Sequence, residues 1–311
     1  MTDSRPPSQT TLAEIASQPE CWQRALELAG AGVPGLPAAG ERVLVLGCGT
    51  SYYVGVAYAW LREAAGHGVT DALIASELPP SLRTYDRIVA ISRSGTSSEL
   101  LDAVRRLRAE QPDAALTALL GEQGTPLAAL ASTVVDLSFA DENSVVQTRF
   151  PTTQLVMLRA ALAGAGDPHL VGLPQDARNA LRDPLPPTGI RQLVVLGHGW
   201  GTAIGQEAAL KVRESAGAWA ESYAVGEYRH GPIATSGPGT LVWGLDRLPE
   251  DIAEAVRDTG GTVEHGCGEP LVELVRLHRY AVELATENNR DADAPWFLSR
   301  SVVLEGAGPE S

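Results

Sequence analysis

Lysine is almost missing from this 311-residue chain. Lys211 is the only one, and arginine supplies the other basic side chains. Cysteine is scarce too: Cys21, Cys48 and Cys267 lie far apart with no Cys-x-x-Cys spacing. That excludes a disulfide framework and a cysteine-based zinc site. No apolar run approaches the roughly 18 residues a membrane-spanning helix needs. The opening residues Met1 to Pro7 lack the apolar core of a secretory signal. A cytoplasmic protein that meets no membrane is expected. Positive charge is also short: 24 Lys and Arg stand against 38 Asp and Glu, a net charge of −14. So acidic a chain argues against general binding to nucleic acid or anionic lipid.

What is present is apolar and patterned. With 44% hydrophobic residues the chain can bury a substantial core. Thr11 to Leu28 reads as a helix interrupted by Pro19, and a Gly/Pro-rich stretch from Gly30 to Gly40 follows. Arg42 to Leu46 is a short apolar run stopping at Gly47, the mark of a strand buried on both faces. A helix is expected from Ser51 to Ala64. The pattern recurs as a strand over Arg87–Ile91, a polar turn, and a helix over Glu99–Glu110. Ala114–Leu120 and Thr133–Leu137 are further strand candidates, and Thr152–Ala163 is a long apolar helix.

Residues 164–190 are rich in Gly, Pro and Asp. After them a strand at Gln192–Leu196 runs into Gly197-His198-Gly199-Trp200-Gly201 and a helix over Ala203–Ala216. The strand–glycine–helix device is thus used twice. Alternating strands and helices predict an α/β fold of two lobes related by duplication, each a parallel sheet with helices on both sides. The expected division is a helical segment and linker at 1–37, a lobe at 38–165, a linker at 166–186 and a second lobe with its tail at 187–311.

Two loops suit an anion. Gly47-Cys48-Gly49-Thr50-Ser51 hands a strand over to a helix, where glycines admit a ligand close to free N–H groups. A tight turn with a helix cap is the plainer account. Ser92-Arg93-Ser94-Gly95-Thr96-Ser97-Ser98 crowds hydroxyls and an arginine around one glycine, which suits phosphate. A solvated turn with Ser98 capping the helix is its plainer account. Two such loops at the tips of neighbouring parallel strands favour a phosphate site. A dinucleotide fingerprint is broken where Tyr52 and Thr202 replace glycine, which counts against a nicotinamide-dependent oxidoreductase. No Walker-type loop occurs.

On one helix, Glu207, Lys211 and Glu214 fall at i, i+4 and i+7 and share a face. The spacing alone would serve for a helical salt bridge.

The two loops resemble those of the sugar-isomerase (SIS) domain family of phosphosugar-binding proteins, above all the isomerase half of glucosamine-6-phosphate synthase. The likeness continues in Thr11–Ile15 with Gln18-Pro19, in Thr152–Leu155, and most strongly in Ala208–Glu214. It runs on through Ala220–Tyr223, Gly226–Pro232, Asp293–Pro295 and Leu298–Val302.

The resemblance implies two tandem SIS lobes of three-layer, flavodoxin-like type. It implies that Ser51, Ser92, Arg93, Ser94 and Ser97 hold a phosphate. Thr50 and the backbone around Val145 and Gln147 would contact the sugar, with Gln147 standing where the family usually has serine. Glu214 would shuttle a proton between two sugar carbons, and Lys211 would steady the enediolate charge or bind a sugar oxygen. His230, reaching in from a neighbouring subunit, would open the ring, so a homodimer is implied. His67, His169, His198, His265 and His278 have no such context and are expected to be structural. Arg300 stands where the synthase half has a Schiff-base lysine. Arginine does not readily form an imine, so only its positive charge would remain. Residue 2 is Thr2 rather than the cysteine of a glutamine-hydrolysing domain, and none is expected.

The expectation is an enzyme that isomerises a phosphorylated sugar or amino sugar, with or without loss of the amine, using no cofactor or metal. The other expectation is a non-catalytic sensor of such a sugar, although no helix-turn-helix extension is visible.

Overall fold

The computed structural model describes residues 7–304. It opens with α1 (Gln9–Ala16) and α2 (Gln18–Ala31), separated at Ser17. Pro19 accounts for the break. Lacking an N–H, it fits the first turn of a new helix better than the middle of a long one. Asp293, near the far end of the chain, accepts hydrogen bonds from the Thr10 and Thr11 amides at 2.9 and 2.8 Å. The start of α1 is therefore tied to the C-terminal segment.

Strands and helices then alternate: β1 (Val43–Gly47), α3 (Thr50–Ala64), β2 (Thr70–Ile74), β3 (Arg87–Ser92), α4 (Ser98–Glu110), β4 (Ala115–Leu120), α5 (Pro126–Leu130), β5 (Thr133–Asp136), α6 (Arg149–Ala163) and α7 (Pro168–Ala180). A second series follows: β6 (Gln192–Gly197), α8 (Gly201–Ala216), β7 (Trp219–Ala224), α9 (Val225–Tyr228), β8 (Thr240–Gly244), α10 (Glu250–Asp258), β9 (Thr262–His265) and α11 (Pro270–Glu287).

The fold is α/β, with two parallel sheets flanked by helices. The first sheet has the order β2-β1-β3-β4-β5 and the second β7-β6-β8-β9. Both order reversals fall beside the strand that carries a glycine turn. In parallel sheets that reversal leaves a crevice at the strands' carboxyl ends, where ligands settle. β1 and β3 are direct neighbours, with Val45 paired to Val89. The two sequence-predicted anion loops therefore end adjacent strands.

One apolar core joins the halves. It runs from Val45 and Val89 on the first sheet, through Trp22, Leu155 and Ile204 on the helices between, to Val195 and Trp243 on the second. Small residues let helix and strand close up. A Cβ on Gly55 would meet Val45 at 2.9 Å, and one on Gly205 would meet Val195 at 3.4 Å and Ser222 at 2.5 Å.

One stretch differs from expectation, and several elements had none stated, β2 and everything after α8 among them. The stretch 166–186, expected to be a linker, contains α7. Its Leu170, Leu173, Ala177 and Ala180 are buried at helical spacing. Asp167 caps it by accepting the His169 amide at 2.9 Å. Pro168, Gly172 and Pro174 are the residues that read as breakers, yet Pro168 sits in the first turn where proline is tolerated. The edge strand β2 had no apolar run to announce it, since Asp71 interrupts its sequence.

Candidate active site

The glycine turn after β1 opens the site. Gly49 adopts φ +52° and nothing lies within 4 Å of where its Cβ would be. α3 begins at Thr50, and its next amides close the turn, Ser51 donating to the Cys48 carbonyl at 3.1 Å and Tyr52 to the Gly49 carbonyl at 3.0 Å, so the helix dipole and the Thr50 and Ser51 hydroxyls are what face the open backbone. The loop after β3 faces it. The Ser92 hydroxyl accepts the Gly95 amide at 2.9 Å, which curls the loop. Gly95 sits at φ +63°, and any side chain there would run into Thr125. Ser97 occupies the N-cap of α4 but gives it no side-chain bond. Its side chain lines the crevice instead.

Between the loops lies a cavity of about 40 Å³. Seven sequence-predicted residues line it: Ser51, Ser92, Arg93, Ser94, Ser97, Gln147 and Arg300, with Cys48 beside them. The Gln147 Oε1 is buried with no hydrogen-bond partner among the described residues. A buried, unpartnered acceptor on the wall of a polar crevice awaits a donor.

Two residues in this set also bond to the protein itself. Arg93 is buried and donates through Nη1 to the Ser144 carbonyl at 2.6 Å and through Nη2 to the Arg300 carbonyl at 3.0 Å, while its Nε has no partner among the described residues. Arg300 donates to both carboxylate oxygens of Asp141 at 2.8 Å. Its charge is matched by an acid. Each arginine braces a wall of the cavity.

The wall carrying Val145 and Gln147 is held by two buried carboxylates that sequence reasoning missed. Glu14 accepts the Asn143 amide at 2.6 Å and also the Ser144 hydroxyl. Glu142 accepts the Thr148 amide and hydroxyl and the Arg149 amide at 2.6, 2.7 and 2.9 Å. Burial pushes the Glu142 pKa up. Val145 is half-buried in this wall but does not line the cavity.

Ser301 was also missed. Its hydroxyl lies 3.2 Å from that of Ser94, 2.9 Å from Thr96 and 3.4 Å from Ser97. The Ser98 amide donates to the Val302 carbonyl at 3.1 Å. The C-terminal segment is thus laid across the serine loop. Ser98, the sequence-stated cap candidate, instead accepts the Leu304 amide at 3.0 Å.

The catalytic candidates adjoin this cavity through Thr50. Its hydroxyl accepts a bond from Lys211 Nζ at 2.9 Å and donates to Glu207 Oε1 at 3.2 Å. Lys211 Nζ also lies 3.4 Å from Glu207 Oε1 and 2.5 Å from Glu214 Oε2. Glu207 and Lys211 are fully buried, whereas the Glu214 side chain is 19% exposed. Of the three, Glu214 alone meets a solvent-reachable space.

Burial raises the Glu207 pKa to about 7, against the lowering pull of Lys211. Burial also works against the Lys211 charge, but the Glu207 and Glu214 carboxylates outweigh it and its pKa is raised. The ammonium is retained. α8 can deliver this cluster because it ends cleanly at Gly217, φ +59°.

Glu214 also borders a second cavity, of about 160 Å³, with Arg213, Arg290, Trp296 and Phe297. His230 joins neither cavity. It is exposed in the turn after α9, where its amide donates to the Glu227 carbonyl at 2.9 Å. His278 is buried on α11, its pKa lowered to about 3 by burial and then by Lys211, so it is neutral. Among the described residues no group of three His, Cys, Asp or Glu side chains converges as metal ligands would. No described helix is long and apolar enough to cross a membrane.

Comparison with known proteins places this geometry. Residues 38–164 match the SIS domain. The glutamine–fructose-6-phosphate aminotransferase (isomerizing) of Caulobacter vibrioides is 30% identical over 94% of this chain and 58% of its own length. The chain spans little more than half the length of the curated relatives it matches. A glucosamine-6-phosphate deaminase from Thermotoga maritima superposes with a TM-score of 0.83, at 22% identity, over 95% of this chain and 100% of that one. The tagatose-6-phosphate ketose/aldose isomerase of Escherichia coli superposes at 0.76, with 20% identity, over 94% of this chain and 99% of that one. These superpositions show a shared fold.

Proposed function

We propose that this chain, which carries a SIS domain at residues 38–164, is an enzyme that isomerises a phosphorylated sugar or amino sugar, with or without release of the amine. The observation that carries the reading is the Thr50–Ser51 junction. Ser51 lines the serine-rich cavity, while Thr50 is hydrogen-bonded to Lys211, which in turn holds Glu214. An anion gripped at one end of this junction presents its carbons to the carboxylate at the other.

In this reading the hydroxyls of Ser51, Ser92, Ser94 and Ser97, at the positive end of the α3 dipole, take the phosphate. Ser301 is one more hydroxyl at its edge. Arg93 is a positioning residue that fixes the Ser144 and Arg300 backbone. Gln147 and the backbone at Val145 meet the sugar. Glu214 removes the proton from one carbon and returns it to the next. The developing oxyanion is stabilised by Lys211, whose charge its two carboxylates preserve. The remaining assignments belong to the same proposal: a second SIS lobe over the second sheet, a cytoplasmic homodimer, and His230 supplied across its interface to open the ring.

The test is incubation with fructose 6-phosphate, glucosamine 6-phosphate and fructosyl-amine 6-phosphates, following ketose and aldose phosphate, ammonia and free amine. Turnover of at least one, abolished in Glu214→Gln while calorimetric binding persists, is expected. A phosphosugar sensor is the second reading, favoured by Arg300 being neutralised on Asp141. Tight binding of several phosphosugars with turnover of none would decide for it.

A further inference from the structure

Lys211 stands between two carboxylates that are not alike. Its Nζ lies 2.5 Å from Glu214 Oε2 but 3.4 Å from Glu207 Oε1. Its other close partner is Thr50, whose hydroxyl accepts from Nζ at 2.9 Å. Glu214 keeps 19% of its side chain exposed, whereas Glu207 and Lys211 keep 1% each. Counted as carboxylate, ammonium and carboxylate, the three carry one surplus negative charge in a space that solvent barely reaches.

Glu207 is the poorer place for that charge. Its Oε1 faces the ammonium and accepts the Thr50 hydroxyl at 3.2 Å. Its Oε2 is buried and has no hydrogen-bond partner among the described residues. An ionised carboxylate calls for donors on both oxygens, and a charged oxygen buried without one is costly. A proton on Oε2 removes the surplus charge and leaves one matched pair, Lys211 with Glu214. The neighbouring elements bring no second cation. Tyr53, half-buried on α3, is affected by both Glu207 and Glu214, and burial raises its pKa, so it is neutral. His278, buried on α11 near Lys211, is neutral too, and neither ring nitrogen has a partner among the described residues. Glu142, which also acts on Lys211, is a further acid. β6 has no ionisable side chain, and Glu221 on β7 accepts from Gln192 at 3.1 Å and from Tyr223 at 3.2 Å. Arg213 on α8 donates to the Ala220 carbonyl at 2.6 Å. The rise of the Glu207 pKa to about 7, caused first by burial, agrees with this geometry.

We propose that Glu207 is a positioning residue that works with a proton on it: neutral, it leaves Lys211 to Glu214 and to the charge developing on the sugar oxygen, and ionised, it draws Lys211 towards itself. The inference rests on the phosphosugar reading above and adds an alkaline limit to it. Lys211 keeps its own charge in both states, on Glu214 alone or shared between two carboxylates. What changes is the field around the substrate. A second ionised carboxylate beside Lys211 opposes the growth of negative charge on the enediolate and takes up part of the ammonium that would stabilise it. Turnover therefore falls as pH rises through the Glu207 titration. Thr50 links the two sites, since its hydroxyl touches both Glu207 and Lys211 and the next residue, Ser51, lines the serine-rich cavity.

The test is the dependence of kcat on pH, between pH 5.5 and 9, for the wild type, Glu207→Gln and Glu207→Ala on the phosphosugars named above. Infrared difference spectra of the wild type and Glu207→Gln between pH 5.5 and 8.5 accompany it. The wild type should lose activity on the alkaline side. Glu207→Gln, which stays neutral at the same length, should lack that limb, so its ratio of kcat at pH 8.5 to kcat at pH 6.5 should exceed the wild-type ratio fivefold or more. Glu207→Ala, which also strips Thr50 of its acceptor, should lower kcat tenfold or more at every pH, with most of that loss recovered in Glu207→Gln. The infrared spectra should show a protonated-carboxyl band that the wild type loses by pH 8.5 and Glu207→Gln never shows. An alkaline limb unchanged in Glu207→Gln, a folded Glu207→Gln without activity at any pH, or a carboxyl band that survives the substitution would each overturn the inference and leave the phosphosugar reading standing. Turnover of none of the phosphosugars by the wild type would remove that reading and the positioning role together, whatever the infrared band showed of the Glu207 proton.

Discussion

The two halves of the molecule use one device to opposite ends. Gly49 after β1 and Gly199 after β6 adopt almost the same backbone angle, φ +52° and +53°. Gly49 looks into open space, whereas a Cβ on Gly199 would strike the Trp60 ring at 2.8 Å. The partner loops differ as well. β3 ends in a hydroxyl-rich turn that lines a cavity, while β8 runs into Leu245, Asp246, Arg247 and Leu248, with Leu245 and Leu248 buried. A glycine turn on a parallel strand is therefore permission for a ligand, not a site. The neighbouring loop and whatever packs on the turn decide its use. The second half's turn is closed by a side chain from the first, and its helix α8 supplies the acid and lysine instead.

The comparison can be broken most severely at Glu214. Glu214→Gln should lower turnover by about a hundredfold to ten-thousandfold, the range for a general base, while calorimetry shows phosphosugar binding retained. Next come the loops. Ser94→Ala should raise KM roughly tenfold to a hundredfold, the cost of one hydrogen bond to a charged group, whereas Arg247→Ala in the corresponding loop of the second half should leave KM unchanged. Equal effects would show that both turns bind the ligand.

A pH effect should be smaller. Glu207 has a folded-state pKa raised by burial to about 7 from an ordinary 4.5. The folded state therefore holds a proton that the unfolded chain has released between those values, and stability falls as pH rises across that window. Thermal melts of wild type and Glu207→Gln should draw together at low pH. Between pH 5 and 7.5 the wild type should lose more than the variant. Smallest is Trp60→Ala, which uncovers Gly199. It should cost about 1–2 kcal/mol in denaturant titrations, since the ring is half-exposed, and should create no second phosphate site.

Much of the fold was legible because its signals are local. β1, β3 and β6 are unbroken apolar runs ended by Gly or Ser, and α4 and α8 carry helical periodicity. β2 and α7 were hidden by Asp71 and by Pro168 and Pro174, whose cost is offset by pairing and burial that no local window contains. In the site, hydroxyl clustering pointed to the loops, and helix spacing set Glu207, Lys211 and Glu214 on one face. Nothing near Glu14 or Glu142 in sequence shows that they brace the Val145 wall. A carboxylate accepting amides from a loop more than a hundred residues away, as Glu14 does, leaves no periodic trace.

The sequence by itself determined the turn chemistry and the spacing along each helix, because both depend on residues a few positions apart. Only the tertiary structure decided that Thr50 joins the anion loop to Lys211, that Arg300 is matched by Asp141, that Ser301 lies among the loop hydroxyls, and that Trp60 shuts the second turn. Those contacts join residues more than a hundred positions apart. They exist only because a shared apolar core sets the two sheets and the C-terminal segment against one another.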